Sequence, residues 1–429
     1  MFNNDPSFDT SASPHRRVGR LMLAAALTLM LVAGCQRDTV EEPEGPDYSR
    51  QLPPGASALR LVTDPSRMPD LTEAYRRLRQ YDQFFFDGVE QSLSWFGKPS
   101  SRQYFPFEGI THEQQIATLH AMRELMRTAT DEYEFADTIR SRFDVYESVG
   151  YNNEGIVLFT GYYAPIFNAS RERTAEFQYP LYSRPDDLVT DPASGEPRGR
   201  RTADGSVVPY HTRRQIEESN MFAGNEIVWL RDYLSAYIIQ VNGSAKLRMP
   251  DGSYMYIGYA GKTDRPYTGL GRMMVDEGHI SPNNLSLPAI RAHFRSHPEQ
   301  VIELIRRNES FVFFAEYDES IWPAGSLGVQ VTEEATLATD KRIYPRGGVV
   351  LVDTNAVTLS RGQRRFFQFM LDQDTGGAIQ APGRADIFMG IGETAEILAG
   401  GQYAEGRLYY FFLKPEFIAE VMERQSASR

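Results

Sequence analysis

From Gly325 to Leu413 the chain is a succession of short apolar runs broken by glycine, and three aspartates are set into it: Asp340, Asp374 and Asp386. Runs this short, bounded by turn residues, read as strands to the end, with no long helix before Lys414. Gly390-Ile391-Gly392 belongs to the same β-rich run and not to a nucleotide-binding loop. A carboxylate is costly in such surroundings. Desolvated among small and apolar residues, it holds its proton to higher pH, as a general acid working near neutral pH must. One Asp beside Gly ordinarily marks a turn; three in one strand-rich stretch point to a site.

Strand signals fall in three blocks: before Pro180, from Tyr237 to Phe314, and after Gly325. In the first, Ile156 to Thr160 is a buried-strand run. In the second, Tyr237 to Val241, an Asn242-Gly243 turn and Lys246 to Met249 read as a hairpin. An Asp251-Gly252 turn then leads to Tyr254 to Tyr259. Ahead of the first block, Ala74, Leu78, Tyr81, Phe85, Val89 and Leu93 recur at threes and fours, which predicts a helix over 71–95. A second helix follows Thr111, with Ile116, Leu119, Met122, Leu125 and Met126 on its apolar face. Thr111–Gln114 and Thr212–Gln215 both fit a capping box. Two further helices begin near Ser286 and Ser296, and His293 on the first of them reads as structural or exposed, not catalytic.

The N-terminus predicts an address. His15, Arg16, Arg17 and Arg20 precede the 12-residue apolar run Leu21 to Val32, too short for a comfortable membrane span. Ala33 and Gly34 then lead to the single cysteine, Cys35. This resembles a bacterial lipoprotein signal, with cleavage before Cys35 and lipid on its thiol and new amino group. Gln36 after it, instead of Asp, points to the outer membrane of a Gram-negative cell. The acidic, Pro-rich segment that follows reads as a disordered tether. A formal charge of -12 excludes nucleic acid as a partner. The seven histidines show no metal-ligand spacing, so neither metal nor cofactor is expected. With Cys35 committed to lipid and no GxSxG elbow, carboxylates remain for chemistry.

Longer pieces of the chain are similar to the MltA family of membrane-bound lytic murein transglycosylases. They are Phe159-Thr160-Gly161-Tyr162-Tyr163-Ala164-Pro165, Glu176 to Tyr182, Val241 to Ala245, Tyr259-Ala260-Gly261-Lys262 and Ser310 to Phe314. The set Asp340, Asp374 and Asp386 matches the three aspartates of the 3D domain. Two departures stand out: Gln380 to Arg384 is one residue longer than the family stretch, and Asn242 and Ala245 replace Gln and Gly.

The resemblance implies a mainly β fold with N-terminal helices. A double-psi β-barrel is formed by two separated segments, with a second, smaller β-domain inserted between them. The expected parts are a signal over 1–34, anchor and tether over 35–70, helices and first barrel part over 71–185, insert over 186–322 and second barrel part over 323–429. It implies Asp386 as acid and base, Asp374 in support and Asp340 as structural support. Sugar contacts are expected at Thr160, Tyr162, Tyr163, Gln178, Tyr179, Asn242, Gly243, Ser244, Tyr259, Ala260 and Gly261, with core packing the alternative for each tyrosine. The implied reaction is cleavage of the MurNAc-β-1,4-GlcNAc bond of peptidoglycan, with the C6 hydroxyl of the substrate as nucleophile. The expected partners are peptidoglycan glycan strands, the membrane through lipidated Cys35, and a cell-wall synthesis complex. Two other readings stay open: a non-catalytic, expansin-like glycan-binding lipoprotein, and a water-using muramidase with Asp374 as base.

Overall fold

The computed structural model describes residues 45–427, apart from 193–194, 361 and the side chains of Tyr81 and Asn283. The expected signal and Cys35 lie outside these residues. Among them, no helix is long and apolar enough to cross a membrane.

Three helices come first: α1 (Leu71–Phe96), α2 (His112–Thr128) and α3 (Glu132–Arg142). Asp70, Thr111 and Asp131 cap them by accepting from first-turn amides. The expected capping box at Thr111 is only half formed, because the Gln114 side chain donates to Leu413 O instead, at 2.9 Å. Part of the segment expected as tether is ordered. Leu59–Leu61 (β1) pairs with Phe143–Ser148 (β2), and a short 3-10 turn follows over Pro65–Arg67.

The barrel takes Val157–Ala164 (β3) from the first half of the chain. The next strands, Ile166–Ser170 (β4) and Tyr179–Tyr182 (β5), already belong to a different sheet. That moves the junction about twenty residues ahead of the expected boundary at 186. The second lobe continues with a small sheet of Leu188–Thr190 (β6), Pro197–Arg201 (β7) and Val207–Val208 (β8). Then come α4 (Arg213–Ser219), Glu226–Leu230 (β9), α5 (Tyr233–Asn242), Ser244–Arg248 (β10) and Tyr254–Lys262 (β11). It ends with α6 (Leu270–Asp276), α7 (Leu287–Ser296), α8 (Pro298–Arg307) and Val312–Tyr317 (β12). Its main sheet runs β12-β11-β10-β4-β9-β5, and a Ser183–Phe314 bridge joins the two ends. Leu181, Val228, Leu230, Ala245, Leu247, Ile257 and Phe314 fill its interior.

The chain then returns to the barrel with Thr336–Ala338 (β13), Val349–Val357 (β14), Gln363–Asp374 (β15), Arg384–Ile391 (β16), α9 (Gly392–Gly401) and Tyr403–Leu413 (β17). The ring β17-β14-β15-β13-β16-β3 closes because β17 also pairs with β3. Two parallel pairs, β13 with β15 and β16 with β3, sit in an otherwise antiparallel ring, as in a double-psi barrel.

Both faces of this barrel are covered. Val350 and Val352 of β14 point inward with Phe159, Phe366 and Met370. Val349 and Leu351 point outward, against α1 to α3. The helices therefore dock on the barrel, and Phe369 is the joint: its ring lies 6.2 Å from Phe85, 5.9 Å from Phe135 and 5.3 Å from Phe411.

Two further expectations, both about secondary structure, fail. Tyr237 to Val241 is part of helix α5 and not a strand. A short apolar run does not distinguish buried helix from strand; Asp232 caps the start by accepting from Ser235 N, and Gly243 ends it at φ 73. The second failure is α9, ten residues long, which starts at Gly392 inside the stretch read as wholly β. By contrast, the Thr212 capping box and the Asp251-Gly252 hairpin are present. Replacing Phe369 with Ala should cost about 3–5 kcal/mol, measured from the denaturant midpoint. A loss under about 1 kcal/mol would show that the helices are not packed on the barrel through this ring.

Candidate active site

Strand alternation builds the site. On β16, Ala385, Ile387 and Met389 point into the barrel, so Arg384, Asp386 and Phe388 face outward. On β3, Phe159 and Tyr163 point inward and Thr160 and Tyr162 outward. The parallel register sets Asp386 opposite Thr160 and Phe388 opposite Tyr162. Gly161 lies on the inward side, where a Cβ would meet Ala399 Cα at 2.9 Å, so glycine lets α9 close on the barrel.

Asp386 is 18% exposed at its side chain. Its Oδ1 accepts the Thr160 hydroxyl, and the nearest cation is Arg384 Nη2 at 4.0 Å. Burial pushes its pKa up to about 6; Arg384 opposes this and Asp374 adds to it. Asp374 ends β15. Its Oδ1 accepts Ser326 N and Thr375 N at 2.8 Å each, and its Oδ2 accepts the Tyr162 hydroxyl at 2.9 Å. Burial raises its pKa as well, against those three donors.

Asp340 is of a different kind. It accepts Arg342 Nε at 2.9 Å, Arg342 Nη2 at 2.7 Å, Arg342 N at 3.0 Å and Ala381 N at 3.0 Å. Burial alone would raise its pKa, but the Arg342 guanidinium and the two amides outweigh burial and hold it below the ordinary carboxylate value. Ala381 sits at φ 72 in the loop between Asp374 and Asp386. A fourth aspartate, Asp372, was not singled out from sequence. It is fully buried, paired with Lys341, and accepts Tyr410 OH at 2.7 Å. Its signal is a carboxylate at the end of the apolar run Phe366 to Leu371.

The structure thus gathers Thr160, Tyr162, Asp374 and Asp386 on one face. Tyr163 is not with them: it is 5% exposed, faces the barrel interior and donates to Glu396 Oε2 at 2.8 Å, which corrects its expected sugar contact. Tyr259 is exposed, with Ala260 and Gly261 beside it on β11, and Arg184 donates to Ala260 O. Gly243 lies against Tyr259, while Asn242 spends its amide on Ile238 O and Ser244 is buried. Tyr179 opens β5, and Gln178 just before it donates to Ala175 O. Lys262, next to Gly261, reaches the Gly377 loop, and Arg291 of α7 pairs with Glu396 of α9, so the second lobe flanks the acid's face. No group of three or more His, Cys, Asp or Glu among the described residues is arranged to hold a metal ion.

Fold and site define a two-lobed barrel enzyme with one partly buried acid, Asp386, whose direct donor among the described residues is a hydroxyl. The description "MltA specific insert domain" matches residues 158–315, and "3D domain" matches residues 335–412. Membrane-bound lytic murein transglycosylase A of Escherichia coli (strain K12) is 31% identical over 280 residues, 63% of this chain and 70% of that one. Its namesake in Vibrio cholerae is 27% identical over 267 residues, 61% and 66% of the two chains. The crystal structure of a membrane-bound lytic murein transglycosylase from Agrobacterium tumefaciens matches the fold at TM-score 0.65, with 24% identity, over 84% of this chain and 99% of that one. E. coli MltA with bound chitohexaose matches at TM-score 0.62, also with 24% identity, over 86% and 100%. The chain belongs to the MltA family of membrane-bound lytic transglycosylases.

Asp340→Asn should destabilise the protein by about 2 kcal/mol at neutral pH, by weakening the charge-assisted bonds that this buried carboxylate accepts. The sign follows from its depressed pKa. The stabilisation is complete above the unfolded value of about 3.9 and is lost as pH falls through the lower folded value. Urea midpoints of the two proteins should therefore converge in acid; a gap that is constant with pH would refute the assignment.

Proposed function

We propose that this protein cleaves the β-1,4 bond between N-acetylmuramic acid and N-acetylglucosamine in peptidoglycan without water, using Asp386 as its single acid and base. Protonated Asp386 gives its proton to the glycosidic oxygen as the bond to C1 breaks. The carboxylate then takes the proton of the muramic acid C6 hydroxyl as that oxygen attacks C1, leaving a 1,6-anhydro end. The nucleophile is already part of the substrate, so orientation replaces a second catalytic group. Thr160, Tyr162 and the β11 segment Tyr259 to Gly261 are the expected sugar contacts. Lipidated Cys35 would hold the enzyme on the periplasmic face of the outer membrane, where glycan strands and a wall-synthesis complex are its partners.

The observation that carries this reading is the unequal state of the two carboxylates. Both oxygens of Asp374 are occupied, by two amides and a phenol. That leaves it poorly placed to activate water, which disfavours the muramidase. Asp386 has only the Thr160 hydroxyl as a direct donor among the described residues, and a binding module has no use for a proton held to about pH 6.

Digestion of purified sacculi by the full chain in detergent, read by mass spectrometry, tests the proposal. Anhydro-muropeptides, lighter than hydrolysed ones by one water, are expected. Asp386→Asn should abolish them with the fold intact, since it removes the proton and almost no volume. Asp374→Asn should lower rate or stability without ending turnover. Reducing ends would indicate the muramidase, and pelleting on sacculi without release would indicate the binding protein. Because Asp386 must start protonated, kcat/KM should fall as pH rises through about 6.

A further inference from the structure

We propose that Arg384 is a positioning residue for the acid: it orders the Thr160 hydroxyl toward Oδ1 of Asp386, so that the transferable proton resides on Oδ2. The inference rests on the reading of Asp386 as acid and base.

Arg384 and Asp386 are two residues apart on β16 and share its outward face, and Thr160 is directly across on β3. Arg384 Nη2 donates to Thr160 Oγ1 at 3.2 Å. A guanidinium has no acceptor, so Thr160 accepts from Arg384 and its own single proton is left for Asp386 Oδ1. Oδ1 is thereby fixed as an acceptor. No described residue hydrogen-bonds Oδ2, which leaves that oxygen to carry the proton and face substrate. At 4.0 Å from Oδ1, Nη2 itself is beyond hydrogen-bond range, yet close enough for Coulomb attraction.

An arginine held only for structure would spend its donors on carbonyls or on an ion pair of its own. Here Nε is buried with no partner among the described residues, and Asp386 is the one carboxylate of the described residues within 4.0 Å of the guanidinium. The other charged or titratable groups around the acid are Asp374 on β15, which acts on it electrostatically, and the Tyr162 phenol on β3, whose own pKa Asp386 helps to raise. The β13 residue paired with it is Ala338, which is neutral. Tyr267 of the second lobe interacts with Arg384. Burial and Asp374 thus favour the protonated acid, and Arg384, directly and through Thr160, favours the carboxylate that must later act as base.

The test is the pH profile of anhydro-muropeptide release by the full chain in detergent, for wild type, Arg384→Met, Arg384→Lys and Thr160→Val. The alkaline limb of kcat/KM should move up by about one pH unit in Arg384→Met. It should move in the same direction in Thr160→Val and return toward the wild-type position in Arg384→Lys. Carbon-13 NMR of the Asp386 carboxyl reads the same shift without turnover. A limb that stays in place in Arg384→Met, with activity lowered equally at every pH, overturns the proposal. If Arg384→Met does not fold, an unmoved limb in Thr160→Val overturns it. Absence of anhydro ends from the wild type sinks the reaction as well, whereas an active wild type with an unmoved limb sinks only the role of Arg384.

Discussion

The parallel pairing of β16 with β3 is the constraint on which the site depends. Side chains alternate with a period of two, so a slip of one residue would turn Asp386 into the barrel and expose Ile387. The register is held from both sides, by Thr160 on β3 and by Ala338 on β13. It is also held from within, because Ala385, Ile387 and Phe159 are needed to fill the interior. Core packing and catalytic placement are therefore the same requirement on alternate residues of one strand.

Closure of the barrel desolvates several carboxylates, and their neighbours sort them into different states. Asp340 has a bidentate arginine and stays ionised. Asp372 is enclosed with a lysine, a threonine and a tyrosine, in a pair with no open side. Asp374 has two amides and a phenol. Asp386 alone has neither a cation in contact nor an amide donor. Its proton is held by burial and released by a distant guanidinium, which suits a group that must give a proton and then take one back.

Much of this was legible from residues. The helical periodicity of 71–95, the caps at Thr111 and Thr212 and the Asp251-Gly252 turn are local signals, and local chemistry decides them. Tyr237 to Val241 was misread because an apolar run of five fits either structure, and the deciding Asp232 cap lies outside it. The α9 helix was missed because its mostly small residues, Ala395, Ala399, Gly400 and Gly401, carry little periodicity, and its place is set by the room that Gly161 leaves on β3, far away in sequence. The three aspartates could be picked out but not ranked by environment, since Ala381, Ser326 and Tyr162 reach them across the fold. Arg384 is the one arginine between Gln373 and Gly392, but its meaning appears only when Thr160 is set beside it.

The helical region, which had no motif of its own, gains a role from the end of β15. Gln373 and Asp374 are adjacent, so they point to opposite faces. Gln373 donates to Gly88 O at 2.6 Å and to Ser92 Oγ at 3.0 Å, both on α1, and accepts Thr336 Oγ1 at 2.7 Å. Asp374 turns to Tyr162 and, electrostatically, to the acid. A Cβ at Gly88 would lie 2.8 Å from Leu371 Cδ2, so glycine at this position lets the helix approach the strand. Helix α1 thus fixes the strand end from behind while Asp374 faces the chemistry. The helices serve as the rigid backing of a site whose acid they never touch.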